Sequence, residues 1–430
     1  MRAPCQPARP APSAPARSAP ALVALLAGVL CAPPASAENF PLSLGISQQV
    51  QHDSNLLRRD TNVESDTVSS TGLQIGLDKS YGRQRYTADL VGRINRYSNF
   101  DVYNNTSYDL NGGFQTEIGR DIALGLNANA AEELARFEDA GRSGLSTKNT
   151  RTVRQANARL TYGLHGPLSL NFNWSGFRQD YDLNNGYFED VKSRTVGAGI
   201  SWSPRQLLSF GVGVSQVDSD VDTGALTYEK QRRSVDFTTR WQVTGVSSLF
   251  GRVSLGKEDR DFGPNRTDDE DNWSALVTWN YRPRGRLTFD TTLSRTTGST
   301  GSLTENDNGL FGFFTTSLND ATTSTSLNVR VGWEATAKIR LEVSADYTLY
   351  DRSRDVAQAS GIFGSSSSST STNNHFTAFG LSATYTPFRW LQLSCGAQRL
   401  KRTEAPTFGY NAFDADVVYC SGVFYINGMY

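Results

Sequence analysis

The chain has 430 residues, a formal net charge of −1 and a mean hydropathy of −0.44. Near-neutral charge argues against a nucleic-acid binder, which is usually strongly basic. No run of 18 or more apolar residues is present, which excludes a membrane-spanning helix but not a membrane-spanning barrel, whose strands and loops average out hydrophilic.

The N-terminus reads as a secretory signal peptide. Arg2, Arg9 and Arg17 lie in a Pro/Ala-rich region, Ala21–Leu30 is a short apolar run, and Ala35-Ser36-Ala37 is an A-x-A cleavage site. Residues 1–37 are therefore set aside, and 38–430 are expected to form one domain. Gly28 and Leu30 do not suit a lipoprotein signal at Cys31.

The mature chain opens with Leu42, Leu44 and Ile46 alternating with Ser43, Gly45 and Ser47. Period-2 alternation marks a strand with one apolar and one polar face. A polar segment, 53–66, follows. Next comes a hairpin over 71–98, with Leu73, Ile75 and Leu77 on one arm, Gly82 in the turn, and Tyr86, Ala88, Leu90 and Ile94 on the other. Arms of about ten residues suit tilted strands crossing a bilayer. Further arms follow at 106–118 and 122–130. A helical turn is conceivable at Ala131–Phe137. Strands are then expected at 151–164 and from Leu168, where Leu168, Leu170, Phe172 and Trp174 give the clearest alternation.

The same pattern continues to the C-terminus. Val196–Trp202 and Leu208–Val214 flank Ser203-Pro204-Arg205, and Val235–Val243 and Leu249–Leu255 flank 244–247. Trp273–Tyr281 and Leu287–Leu293 flank Pro283-Arg284-Gly285. Leu327–Trp333, Ile339–Leu349, Phe379–Tyr385 and Leu391–Ala397 come next, and a last strand runs from about Phe413 to Tyr430. Long polar loops are expected at 53–66, 98–105, 135–150, 182–190, 219–230, 258–270, 297–322, 352–374 and 403–412, alternating with short turns. The run Ser365–Ser371 reads as a loop tip.

These observations predict an all-β fold: a closed antiparallel transmembrane β-barrel of about 18 strands (16–20), with short periplasmic turns and long extracellular loops, in a Gram-negative outer membrane. Closure is required because an open edge in lipid would leave backbone N–H and C=O groups unpaired. Trp202, Trp241, Trp279, Tyr281, Trp333, Tyr385 and Trp390 sit near strand ends, as an interfacial girdle requires. Phe424, Ile426 and Tyr430 on the last strand resemble the signal read by the barrel-assembly machinery.

Residues 45–130 resemble the EpsL-type outer-membrane proteins of exopolysaccharide biosynthesis, within the β-barrel porin-2 group. The matching residues are HDSNLLR (52–58), YGRQRY (81–86), INRYSNF (94–100) and YDLNGGFQTEIG (108–119). The resemblance implies a barrel that serves passage or anchoring of an exopolysaccharide with its export proteins. It implies no catalysis. The other functions weighed are a general diffusion porin, a structural or adhesive barrel with a plugged lumen, and an outer-membrane hydrolase. Expected partners are outer-membrane lipid, lipopolysaccharide and the assembly machinery, with no nucleic acid.

The polar phase assigns Arg85, Asp89, Arg93, Asp109, Glu117, Arg159, Asp236, Arg240, Arg252, Asp290, Arg330, Glu334, Arg340, Glu342 and Asp346 to the lumen, since Arg or Lys facing lipid at mid-depth costs about 2–4 kcal/mol. Both signs are present, so a salt-bridged interior and a selective path are alternatives. Tyr97, Phe177 and Tyr425 share this phase, either stacking on sugar rings or packing. Cys395 and Cys420 fall opposite each other on the last two strands. They form either a cross-strand disulfide in an oxidising compartment or two small lipid-facing residues. Asp268-Asp269-Glu270-Asp271 reads as a solvated acidic loop, with no calcium-loop spacing. A hydrolase needs a base, and His52, His165 and His375 fall in loops or at strand ends. No catalytic, metal or cofactor site is expected.

Overall fold

In the computed structural model, residues 41–430 are described except 138–146, 185–187, 206, 223, 225–226, 262–266, 284, 297–302, 307–312, 317–322, 359–365, 404–411 and 427–430. The expected signal peptide lies outside the described residues.

The strands are β1 (Leu42–Asp53), β2 (Asp66–Tyr81), β3 (Gln84–Tyr97), β4 (Asn105–Ile118), β5 (Ile122–Leu134), β6 (Thr150–Tyr162), β7 (Leu168–Tyr181), β8 (Asp190–Arg205), β9 (Leu208–Asp222) and β10 (Thr227–Thr244). They continue as β11 (Ser247–Asp261), β12 (Thr267–Tyr281), β13 (Leu287–Thr296), a short hairpin β14 (Leu303–Asn306) and β15 (Phe313–Thr316), then β16 (Thr323–Thr336), β17 (Ile339–Gln358), β18 (Ser366–Phe388), β19 (Leu391–Arg402) and β20 (Phe413–Tyr425). Apart from β14 and β15 they form one 18-stranded sheet. Each strand pairs antiparallel with the next, and β1 closes the ring on β20 from Gly45↔Tyr425 to Asp53↔Val417. Gly82 (φ 60°) and Gly119 (φ 68°) turn the tight corners at one end, a backbone conformation costly for any other residue.

Through the middle of the wall the apolar phase faces out. One rung runs Phe172–Ala198–Val214–Val235–Leu255 across β7 to β11. Val212 and Val214 on this face are more than half exposed. An exposed apolar band of this extent is stable only against lipid or a partner.

Toward the end that carries the long connections, the two faces exchange character. On the outward phase the rungs become charged: Arg178 and Lys192 stand opposite each other, Arg194 opposite Asp218, and Arg233 opposite Lys257. On the inward phase Phe177, Val191, Val217, Val221 and Tyr228 form a buried cluster. Ala378, Leu400, Phe413, Ala415 and Val417 form another on β18 to β20. The wall therefore continues beyond the apolar band with apolar clusters and the buried Arg260–Glu258 pair (2.8 Å) inside and charges outside.

This exchange explains where the expected loops differ. Residues 219–230 and 258–270 are largely strand, the ends of β9 to β12, and only 223–226 and 262–266 connect them. Over 219–230 the alternation persists with its polarity inverted, Val221 and Tyr228 facing in, whereas Glu258–Asp261 is charged on both faces. Asp268–Asp271 thus belongs to β12 and not to a loop. Likewise Ser366–Ser371 lies in β18, paired with Ser353–Gln358 of β17, because the ladder propagates through the backbone and needs no apolar side chain. The conceivable helical turn at 131–137 is strand to Leu134, where Glu133 of β5 pairs with Arg151 of β6 at 2.8 Å. The last strand ends at Tyr425, although the Ile426 N–H still donates to the Leu44 carbonyl at 2.7 Å.

Candidate functional site: the lumen and its outer mouth

The connection between β1 and β2 folds into the mouth of the ring. Asp53 and Asp66 stand on the inward phase and are buried. Asp66 accepts hydrogen bonds from the backbone N–H groups of Ser98 (3.1 Å), Asn99 (3.0 Å) and Phe100 (3.1 Å), fixing the start of the β3–β4 connection. Asp53 accepts from the Asn55 N–H at 3.0 Å and from Arg58 Nη1 at 2.8 Å. Arg58 adopts a left-handed backbone (φ 53°), uncommon for a residue with a Cβ. Its guanidinium also donates to the Asn55 carbonyl and lies 5.5 Å over the Phe413 ring. Arg402 covers the same ring at 5.4 Å.

Asn55 is fully buried and ties this loop together. Its Nδ2 donates to the carbonyls of Arg59 (2.7 Å) and Asp414 (3.1 Å), and its Oδ1 accepts from the Arg59 N–H (3.0 Å). With the polar groups satisfied, Leu56 and Leu57 pack against Tyr103, Ala135 and Phe188. Tyr97, Phe100, Phe137 and Tyr181 surround them. Burial pushes the Tyr103 hydroxyl above its ordinary pKa, with Glu64 adding to the rise and Arg59 opposing it. Leu56 follows β1 and Phe188 precedes β8, seven strands away, roughly 34 Å of wall at about 4.8 Å per strand. The cluster thus joins the β1–β2, β3–β4, β5–β6 and β7–β8 connections at one end of the wall. We call this assembly the mouth knot.

Below the knot, the polar phase carries charges around the inner wall. Arg252 Nη2 lies 2.9 Å from Asp236 Oδ1, both largely buried, and Ser215 (2.9 Å) and Ser254 also donate to Asp236. Arg85 pairs with Asp78 at 2.7 Å with its side chain 48% exposed, and Arg340 with Glu342 at 3.6 Å with its side chain 55% exposed. Asp89 and Arg93 stand over Gly76 and Gly72. Arg159 reaches Asn171 at 3.4 Å, Arg240 covers the Phe250 ring at 5.6 Å, Asn328 donates to Asp346, and Arg330 lies opposite Asp290. These charges are spread around the ring and do not converge on one centre.

The three aromatics with two readings all pack. Tyr97 lies against Tyr103 with ring centroids 6.0 Å apart, Phe177 sits in the inner apolar cluster, and Tyr425 covers Gly45. Cys395 and Cys420 are directly opposite, with Cα atoms 4.1 Å apart and a disulfide between them. Phe424 packs on Trp390 at 5.4 Å, and Ile426 is exposed on the outer face. Tyr430 lies outside the described residues. His375 Nδ1 meets the Tyr347 hydroxyl at 3.0 Å, His165 Nδ1 the Arg120 carbonyl at 2.5 Å, and His52 Nδ1 the Thr67 hydroxyl at 3.0 Å.

The knot is what the sequence reading missed. Its signal was the apolar pair Leu56-Leu57, with Tyr103 and Phe188, inside segments otherwise polar enough to be read as solvated loops.

The chain matches no protein-family model and no curated protein, so the resemblance of residues 45–130 to the EpsL-type proteins gains no support. Among solved structures it is similar to Pseudomonas aeruginosa OccK2 (OpdF), with 13% identity, TM-score 0.44, and 90% of this chain and 98% of that chain covered. It is also similar to a BenF-like porin from Pseudomonas fluorescens Pf-5, with 12% identity, TM-score 0.42, and 90% and 99% covered. A third is the FrpB iron transporter from Neisseria meningitidis, with 10% identity, TM-score 0.47, and 85% and 63% covered. Likenesses this distant bring no substrate or activity to this chain.

Proposed function

We propose that the protein is an outer-membrane β-barrel of a Gram-negative bacterium that passes small polar solutes through a lumen narrowed at its outer mouth by the knot of residues 53–66. The observation that carries this reading is the contrast between the two faces of a sealed wall. Outside, apolar residues are exposed in a continuous band. Inside, Arg93 well within β3 and Arg330 in the middle of β16 are exposed, so the wall there borders water and not a packed core. A water-lined path through a lipid-facing cylinder is the form of a diffusion pore. Its charges of both signs suit polar solutes without strong ionic bias.

The exopolysaccharide role is the second reading. It rests on residues 52–58, which build the knot, and passage of a polymer would require the knot to swing clear of the opening. Lipopolysaccharide and the barrel-assembly machinery are the partners that either reading needs.

The test is conductance in a planar bilayer. The mature chain is expected to give stepwise ohmic channels, and liposomes containing it are expected to swell in small sugars but not in a long dextran. Absence of conductance both in the native chain and in a chain lacking residues 54–65 would overturn the pore and favour a plugged structural barrel. Dextran entry into the native chain would favour the polymer path.

A further inference from the structure

A groove of about 700 Å³ lies on the outer wall across β7 to β11, where the apolar band gives way to charge. Its floor is the apolar rung already described, with Ala198 as the low point between Phe172 and Val214. Val196 extends the floor upward. Arg194, Arg233, Gln216 and Asp218 form its upper rim.

The rim is short of counter-charge. Arg194 faces Gly176 on one side, which offers no side chain, and Asp218 on the other. Among the described residues the Arg194 side chain makes no hydrogen bond or ion pair. Arg233 stands opposite Lys257 and donates to the Gln231 side-chain oxygen at 2.5 Å, and among the described residues it forms no ion pair. Asp218 is taken up by two amides, Gln216 (2.9 Å) and Gln231 (2.9 Å). Two arginines above an apolar trough, neither in an ion pair among the described residues, are complementary to a molecule with a phosphate at one end and a hydrocarbon chain at the other.

We propose that this groove binds a phosphorylated lipid of the outer leaflet, with its phosphate between Arg194 and Arg233 and one acyl chain along the Phe172–Ala198–Val214–Val235 floor. The proposal rests on the membrane reading above. That reading puts the groove at the lipid–water boundary, where acyl chain and phosphate meet. Gln216 and Gln231 hold Asp218 aside from the phosphate by occupying its carboxylate.

The experiment uses the full mature chain in neutral detergent, incubated with bisphosphorylated lipid A or its dephosphorylated form and read by native mass spectrometry. The native chain is expected to retain one equivalent of the phosphorylated lipid. An Arg194→Gln, Arg233→Gln double variant is expected to retain it about thirtyfold more weakly. Ala198→Trp, which fills the floor and leaves both arginines in place, is expected to lose retention as well. Arg178→Gln, whose native guanidinium pairs with Asp180 outside the groove, is expected to behave as the native chain. Equal retention by the native chain and the double variant, equal retention of the dephosphorylated lipid, or displacement by inorganic phosphate alone would each overturn the proposal. Heat-modifiable migration and vesicle insertion are measured in parallel. A chain that inserts without phosphate preference refutes the groove alone, whereas a chain soluble without detergent refutes the membrane reading itself.

Discussion

The Asn55 side chain donates to the Asp414 carbonyl at 3.1 Å, tying the loop after the first strand to the last strand of the ring. The backbone repeats the link, because Ser54 donates to the Asp416 carbonyl at 3.0 Å and Ser54 Oγ accepts from the Asp416 N–H at 2.8 Å. The seam where the chain closes on itself is therefore locked at its outer end by the mouth knot.

Asn55→Ala is expected to cost about 1–3 kcal/mol, the range for leaving buried polar partners unsatisfied. Asn55→Asp is expected to cost at least as much, since a carboxylate would face the two carbonyls of Arg59 and Asp414. Thermal unfolding in detergent measures the loss, and amide exchange over 54–65 is expected to accelerate. An unchanged exchange rate would show that these bonds do not hold the loop.

Leu56→Ala or Phe188→Ala removes the apolar half of the knot. Each is expected to cost about 2–5 kcal/mol locally, through lost transfer energy and a residual cavity. The ring should survive, because its ladder does not pass through the knot. Single-channel recordings are expected to show larger or noisier openings than the native chain.

The Arg252–Asp236 pair is largely buried on the inner wall, and breaking it from one side is expected to be worse than removing it whole. Arg252→Ala leaves a carboxylate hydrogen-bonded only by hydroxyls, with Arg232 nearby, and is expected to cost about 3 kcal/mol. Arg252→Gln with Asp236→Asn is expected to lie closer to native. Reversal potentials across a salt gradient are expected to move toward cation preference in the single variant and less in the double one.

Much of this architecture is legible from the residues, but unevenly. Leu168–Trp174 reveals both strand and lipid face because polar and apolar residues alternate without a break. The far ends of β7 to β9 do not, because Phe177, Val191, Val217 and Val221 fall in the polar phase and charges such as Arg194 and Asp218 fall in the apolar one. Read by hydrophobicity alone, that inversion looks like the end of the strand. The knot is hidden for another reason. Asn55 becomes a buried linchpin only once Asp414 is brought beside it, and nothing local to residues 53–66 encodes that neighbour.

Val212 lies mid-band on the outer face, more than half exposed. Val212→Arg is expected to cost about 2–4 kcal/mol and to impair insertion, whereas Thr238→Arg on the inner phase of the adjoining strand is expected to insert. Vesicle-folding yields compare the two. Equal yields would mean that the outer face does not meet lipid.

Cys395 and Cys420 close a segment with a sequence separation of 25 on neighbouring strands. Digestion without reductant is expected to yield one linked peptide pair. The Cys395→Ser, Cys420→Ser chain is expected to assemble but to unfold at lower temperature, by about 3 kcal/mol on a chain-entropy estimate. Free thiols in the folded native chain would refute the link.

The reversal of polarity along β7 to β11 gives the cylinder a collar that stands clear of the bilayer and keeps its own shape there. A phage tail fibre or an antibody reaching the flank of this collar would meet pleated sheet. Its footprint would draw on every second residue of several strands at once. Escape by substitution would then be confined to the outward positions, while the residues between them stay committed to holding the collar upright.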